Sequence, residues 1–183
     1  LKAYRASPVE KVDGFDLIND TLSSPNPNIL DQEPERIIRL FRHAQRLNAK
    51  LSPDLRSLVR NRLVLIDSSI INSNSANVTF RSILQEIGNV SPILYEMHEL
   101  GVLGRFVPEF GKLSCKVQHD LYHRFTADIH VLHCLNKLDD IFLEKNSHSK
   151  HYLEALRKNE VPGLLYLILF LHKICCFVGR YFF

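Results

Sequence analysis

Beyond Leu30, apolar residues recur three and four positions apart, interrupted by short polar or Gly- and Pro-containing breaks, so the chain predicts a run of short helices. Asp31 reads as an N-cap, with Glu33 and Glu35 in the first turn. Ile37, Ile38, Leu40, Phe41, Ala44 and Leu47 then follow at helical spacing, and Asn48 closes the end. Ser52-Pro53 opens a second helix whose stripe is Leu55, Leu58, Val59 and Leu63. The polar tract from Asp67 to Asn77 is expected to contain a loop, with part of it anchored by Ile70 and Ile71. Phe80, Ile83, Leu84 and Ile87 predict a third helix stopping at Gly88, and Ser91-Pro92 begins a fourth that ends at Gly101. Leu103, Phe106, Val107, Pro108 and Phe110 form a compact aromatic stretch.

A longer helix follows Thr126, carrying Asp128 in its first turn and Leu132, Leu135, Leu138 and Ile141 along its buried stripe. Lys145 to Lys150 reads as loop, His151 to Lys158 as a further helix, and Pro162-Gly163 as the start of the last one. That last segment, Leu164 to Val178, is too short and too interrupted by His172-Lys173 for a membrane span, and predicts a core helix surrounded on nearly every side. The first 30 residues are weakly patterned and end in Ser23-Ser24-Pro25-Asn26-Pro27-Asn28, a breaker cluster. The fold class is therefore all-α. Its expected organisation is an irregular segment over 1–30, a helical domain over 31–125 and a second helical domain over 126–183. The expected core comprises Ile38, Phe41, Leu55, Val59, Phe80, Leu84, Met97, Leu103, Leu132 and Leu135.

Composition changes this picture little. Apolar residues are 45% and charged residues 23% of 183, which excludes disorder and collagen-like repeats. A net charge of +3 is too mild to imply a nucleic-acid partner. Cys115, Cys134, Cys175 and Cys176 form no C-x-x-C pair, so reduced thiols in the cytoplasm are expected. No signal peptide is expected, and a start at Leu1 rather than Met suggests an excised piece.

Two clusters bear on chemistry. Between Glu35 and Arg62 stand eight cationic side chains against Glu35 and Asp54, a local surplus of six. Arg39, Arg42 and Arg46 within it are candidate contacts for phosphates or an acidic partner, or else a solvated face whose stems cover core edges. Five of nine histidines fall between His98 and His133, and two imidazoles with a carboxylate can hold a metal ion.

The helix Glu33-Pro34-Glu35-Arg36-Ile37-Ile38-Arg39-Leu40-Phe41-Arg42-His43-Ala44-Gln45-Arg46-Leu47 and the later runs Met97-His98-Glu99-Leu100-Gly101-Val102-Leu103-Gly104-Arg105-Phe106-Val107-Pro108-Glu109-Phe110-Gly111 and Val117-Gln118-His119-Asp120-Leu121-Tyr122-His123 make a specific set. They resemble the middle region of the bacterial protein-PII uridylyltransferase/uridylyl-removing enzymes, from about Phe15 to Ile174. The tRNA nucleotidyltransferases share only the Arg-rich helix.

The resemblance implies a helical linker domain followed by the first helices of an HD-type hydrolase domain. It also implies PII and a catalytic nucleotidyltransferase head as partners, and a divalent metal (Mg, Mn or Zn) in the intact family. Neither a Gly-Ser turn nor an Asp-x-Asp pair is present, so no catalytic residue and no cofactor are expected in this chain. The matching metal positions are His130 and His172, with Lys173 where the doublet's Asp belongs; an ammonium repels a cation there. The distal Asp is missing, as truncation, a frame change or gene decay would each produce. The competing expectation is a stand-alone RNA- or nucleotide-binding helical module.

Overall fold

The computed structural model describes residues 9–114, 126–145, 152–154, 156 and 162–179; for 114, 173 and 175–179 it describes the backbone alone. Contacts divide the chain into two units, 1–79 and 80–183. The sequence had suggested a boundary near Thr126 instead.

Unit 1 begins with β1 (Glu10–Val12), β2 (Phe15–Ile18) and β3 (Thr21–Ser23), paired antiparallel in that order. These strands replace much of the expected irregular segment, and two tight turns explain them. Val12 pairs with Phe15 around Asp13-Gly14, and Ile18 pairs with Thr21 around Asn19-Asp20. All four central residues have positive φ, from 46° to 86°, the conformation of two-residue turns whose twist suits a hairpin. A short helix α1 (Ile29–Gln32) precedes α2 (Arg36–Leu47). Asp31 therefore lies inside α1 and caps nothing; it accepts from Arg62 Nε at 2.9 Å.

Asn48 closes α2 in the left-handed conformation, as expected. The chain then runs into β4 (Lys50–Leu51), which joins β3 in parallel, with the Ser52 N–H donating to the Leu22 carbonyl at 2.8 Å. The Ser52 hydroxyl next accepts from the Leu55 N–H and starts α3 (Pro53–Asn61), which lies against β3. In its stripe Leu55 and Val59 are buried, whereas Leu58 and Leu63 are half-buried. The polar tract is mostly helical, forming α4 (Ser68–Ile71), capped by Asp67, and the start of α5 (Asn74–Leu84), and the expected loop shrinks to the break at 72–73. α5 ends four residues short of Gly88.

Unit 2 contains α6 (Ser91–Glu99), α7 (Val102–Phe106), α8 (Pro108–Ser114), α9 (Ala127–Phe142) and α10 (Gly163–Gly179). α9 packs on α6, α8 and α10. Phe80, Phe106, Phe110 and Phe170 form its aromatic centre, with ring centroids 5.3 to 5.8 Å apart. All ten expected core residues are buried, and the fold is predominantly helical as expected. The last helix is not enclosed on every side. Tyr166, Phe170 and Ile174 are buried, but Leu164, Ile168 and Leu171 are 48%, 51% and 39% exposed. Among the described residues, no helix is long and apolar enough to cross a membrane.

Candidate functional site

The basic surplus of unit 1 centres on α2. Residues 36, 39 and 43 lie three and four apart, so their side chains leave one flank of the helix. That flank meets the β1–β2 turn, where Asp13 is held at φ 50°. Arg39 grips the Asp13 carboxylate with two donors, Nε at 2.8 Å and Nη2 at 3.2 Å, while Arg36 Nε stands 3.3 Å away. His43 Nε2 is 3.5 Å from the same carboxylate. Glu33 closes the other side, receiving Arg36 Nη2 at 2.8 Å and Arg39 Nη1 at 2.7 Å.

Burial alone would raise the Asp13 pKa. The hydrogen bonds and charge of Arg39, reinforced by Arg36, outweigh it and hold the carboxyl below its ordinary value. Glu33 is lowered chiefly by its hydrogen bond from Arg39, and Arg39 is raised by its bonds to Asp13 and then Glu33. Of the three candidate phosphate contacts, Arg39 thus spends its fork inside the protein. Arg42 is half-buried and donates to Gln45 Oε1 at 2.7 Å, and Arg46 is exposed. Sequence reading found the arginines but missed Asp13; the signal was present as Asp-Gly between Val12 and Phe15.

In unit 2 the candidate metal positions diverge in surroundings. His130 is exposed and its Nε2 lies 3.6 Å from Cys134 Sγ. His172 is also exposed. Asp128 is buried, with one carboxylate oxygen accepting from the Ile129 N–H at 2.8 Å and the other 3.5 Å from His98 Nε2. Among the described residues, no three His, Cys, Asp or Glu side chains converge as metal ligands. His119 and His123 lie outside the described residues.

A buried polar network that the sequence did not signal lies nearby. The Asp139 carboxylate of α9 accepts from the Val90 and Ser91 N–H groups at 3.3 and 2.7 Å, capping α6 from outside that helix. Tyr166 of α10 donates its hydroxyl proton to Asp139 at 2.7 Å and accepts from the Gly88 N–H at 2.9 Å. Both side chains are buried. Burial first, and then the Asp139 carboxylate, push the Tyr166 pKa up. The Ser91 hydroxyl donates to Asn136 Oδ1 at 3.1 Å.

A family model described as the third domain of uridylyltransferase GlnD matches residues 15–106. The chain belongs to that family. It is 33% identical over 174 residues to the bifunctional uridylyltransferase/uridylyl-removing enzyme of Rhodopseudomonas palustris, covering 94% of this chain and 19% of the relative. The enzyme of the same description from Nitrobacter hamburgensis is 34% identical over 169 residues, covering 91% and 18%. The chain therefore spans about a fifth of the length of the curated relatives it matches. Among solved structures, a tRNA-processing enzyme in an apo form matches with a TM-score of 0.57 and 20% identity, over 88% of this chain and 41% of that one. That likeness is one of fold.

Proposed function

We propose that this chain is a non-catalytic helical segment of a PII-uridylyltransferase/uridylyl-removing protein, acting in bacterial nitrogen regulation in the cytoplasm. Its role is to hold a nucleotidyl-transfer head in register with a hydrolase region. The family match over residues 15–106 carries this reading. The side-chain chemistry agrees with it: the strongest polar groups are spent on rigidity, Arg39 on Asp13 and Glu33, and Asp139 on α6 and Tyr166. The partners under this reading are PII and the catalytic head, with the family's divalent cation held by other residues than those described here.

A chimera tests it. Residues 15–106 replace the corresponding stretch of the Rhodopseudomonas palustris enzyme, and UMP transfer from UTP to PII is measured. The expected rate is within about tenfold of the parent, or about 1.4 kcal/mol of barrier. A flexible Gly/Ser linker of equal length is expected to abolish transfer. An equally active linker chimera, or a folded but inactive domain chimera, overturns the proposal. The rival reading, an RNA- or nucleotide-binding module using Arg42 and Arg46, is met by titrating the intact chain with RNA and with UTP at several salt concentrations. Tight RNA binding that weakens steeply with salt would favour the rival.

A further inference from the structure

We propose that an open groove in unit 1 docks an arginine side chain presented by an extended segment of a partner protein. The groove, of about 400 Å³, lies between one face of α3 and the loop that follows β3. On α3, Ser57, Leu58 and Asn61 stand three, four and seven residues after Asp54, so the four share that face. Pro25 and Pro27 line the groove from the loop. Asp54, Ser57 and Asn61 are exposed, and Leu58 is a stripe residue that the core leaves half-open.

The chemistry of this lining is one-sided. Proline has no N–H, and the N–H groups of Asn26 and Asn28 beside the two prolines are spent on Ser24 Oγ at 3.2 Å and Asn26 Oδ1 at 2.9 Å. The Ser24 and Ser57 hydroxyls give their protons to the Asn26 and Pro53 carbonyls at 2.8 and 3.0 Å, so they have only lone pairs left to offer. Among the described residues, no cation pairs with the Asp54 carboxylate. Of the side chains on the α3 face, Asn61 alone keeps N–H donors. Acceptors, one formal negative charge and apolar walls disfavour an anion and suit a flat cation with several donors. Arginine meets both demands, with five N–H groups in a planar fork and a weakly hydrated face that packs on proline and leucine. An ammonium is more strongly hydrated and gains less from those walls. The chain's own cations do not fill the place. By helical spacing Arg56 and Arg60 lie off this face, and Arg62 is held by Asp31.

The test titrates the intact chain with an acetylated, amidated Ala-Ala-Arg-Ala-Ala peptide and follows amide resonances by NMR. A second peptide carries citrulline in place of arginine, which keeps the shape and loses the charge, and a third carries lysine. The arginine peptide is expected to move resonances within 24–28 and 54–61 in a saturable way. The citrulline peptide is expected to bind at least about threefold more weakly, and Asp54→Asn, with folding checked by circular dichroism, to weaken arginine binding by about three- to tenfold. Shifts confined to other parts of the chain, equal binding of the arginine and citrulline peptides, or undiminished binding by the folded variant overturns the groove. Lysine binding as tight as arginine binding overturns its assignment to a guanidinium.

Discussion

Asp13 shows how one side chain can tie a turn to a helix. Its carboxylate is contacted by Arg36, Arg39 and His43, all on α2, although it sits in a hairpin more than twenty residues earlier. Its folded pKa lies below the ordinary 3.8, so folded and unfolded chains are both ionised above that value and the stabilisation is fully present there. As the pH falls below 3.8, the unfolded chain takes up the proton first, and the contribution is lost through the folded pKa. Asp13→Asn is expected to cost about 1.5–3 kcal/mol at neutral pH, the range for hydrogen bonds to charged groups, and progressively less in acid. Urea denaturation of both proteins across pH 2–7 measures the gap. A gap that stays constant into strong acid would contradict the ion-pair account. The arginines were legible from helical spacing alone. Their partner was not, because a carboxylate in a turn reveals its distant contacts only after the hairpin is folded against α2.

At the scale of elements, α7 and α8 meet at a pair of glycines. A Cβ on Gly111 would stand 2.6 Å from the Gly104 carbonyl oxygen, and one on Gly104 would stand 3.1 Å from the Gly111 Cα. Backbone cannot swing aside as a side chain can. Gly111→Ala is therefore expected to cost about 2–3 kcal/mol, and more than Gly104→Ala, in thermal melts. Equal costs would argue that the helices slide apart freely. Ser52→Ala, which removes the hydroxyl at the start of α3, is expected to cost about 1 kcal/mol in the same measurement. Elements closed by local chemistry were readable in advance: the Ser52-Pro53 start, the Asn48 end, the Gly101 break. Others depended on partners elsewhere in the chain or on signals of weak periodicity. α6 is capped by Asp139, forty-eight residues from Ser91. α4 and the first turn of α5 are too polar to show a stripe; α4 begins where the Asp67 carboxylate takes the Ser69 and Ile70 N–H groups, and α5 where the Ser73 hydroxyl takes the Ala76 N–H. α10 is apolar on all sides in sequence, so periodicity could not tell its buried stripe from its exposed one.

Across the described residues, the shifted acidic side chains sort by unit. Asp13, Glu33 and Asp67, all lowered, belong to unit 1; Tyr95 and Tyr166, both raised, belong to unit 2. The signs are opposite. Lowered carboxyls contribute stability above their ordinary pKa that is lost as acid protonates the folded form. A raised phenol contributes stability below its ordinary value of 10.0 that is lost as the pH climbs through the folded pKa, since the unfolded chain ionises first. Tyr166 carries the larger consequence, because its hydroxyl joins the Gly88 N–H to Asp139 and thereby supports the cap of α6. Acid is therefore expected to loosen unit 1 first and alkali unit 2 first. Assigned methyl resonances, which survive where amide protons exchange, can follow each unit in the intact chain. Tyr166→Phe is expected to cost about 1–3 kcal/mol near neutrality, as a buried N–H and carboxylate oxygen lose a partner. It is also expected to remove the phenol's part of the alkaline loss, leaving the acid response of residues 9–79 unchanged. Simultaneous loss of both units at either extreme, or an alkaline response in unit 2 untouched by Tyr166→Phe, would show that the phenol–carboxylate pair does not govern that unit's high-pH stability.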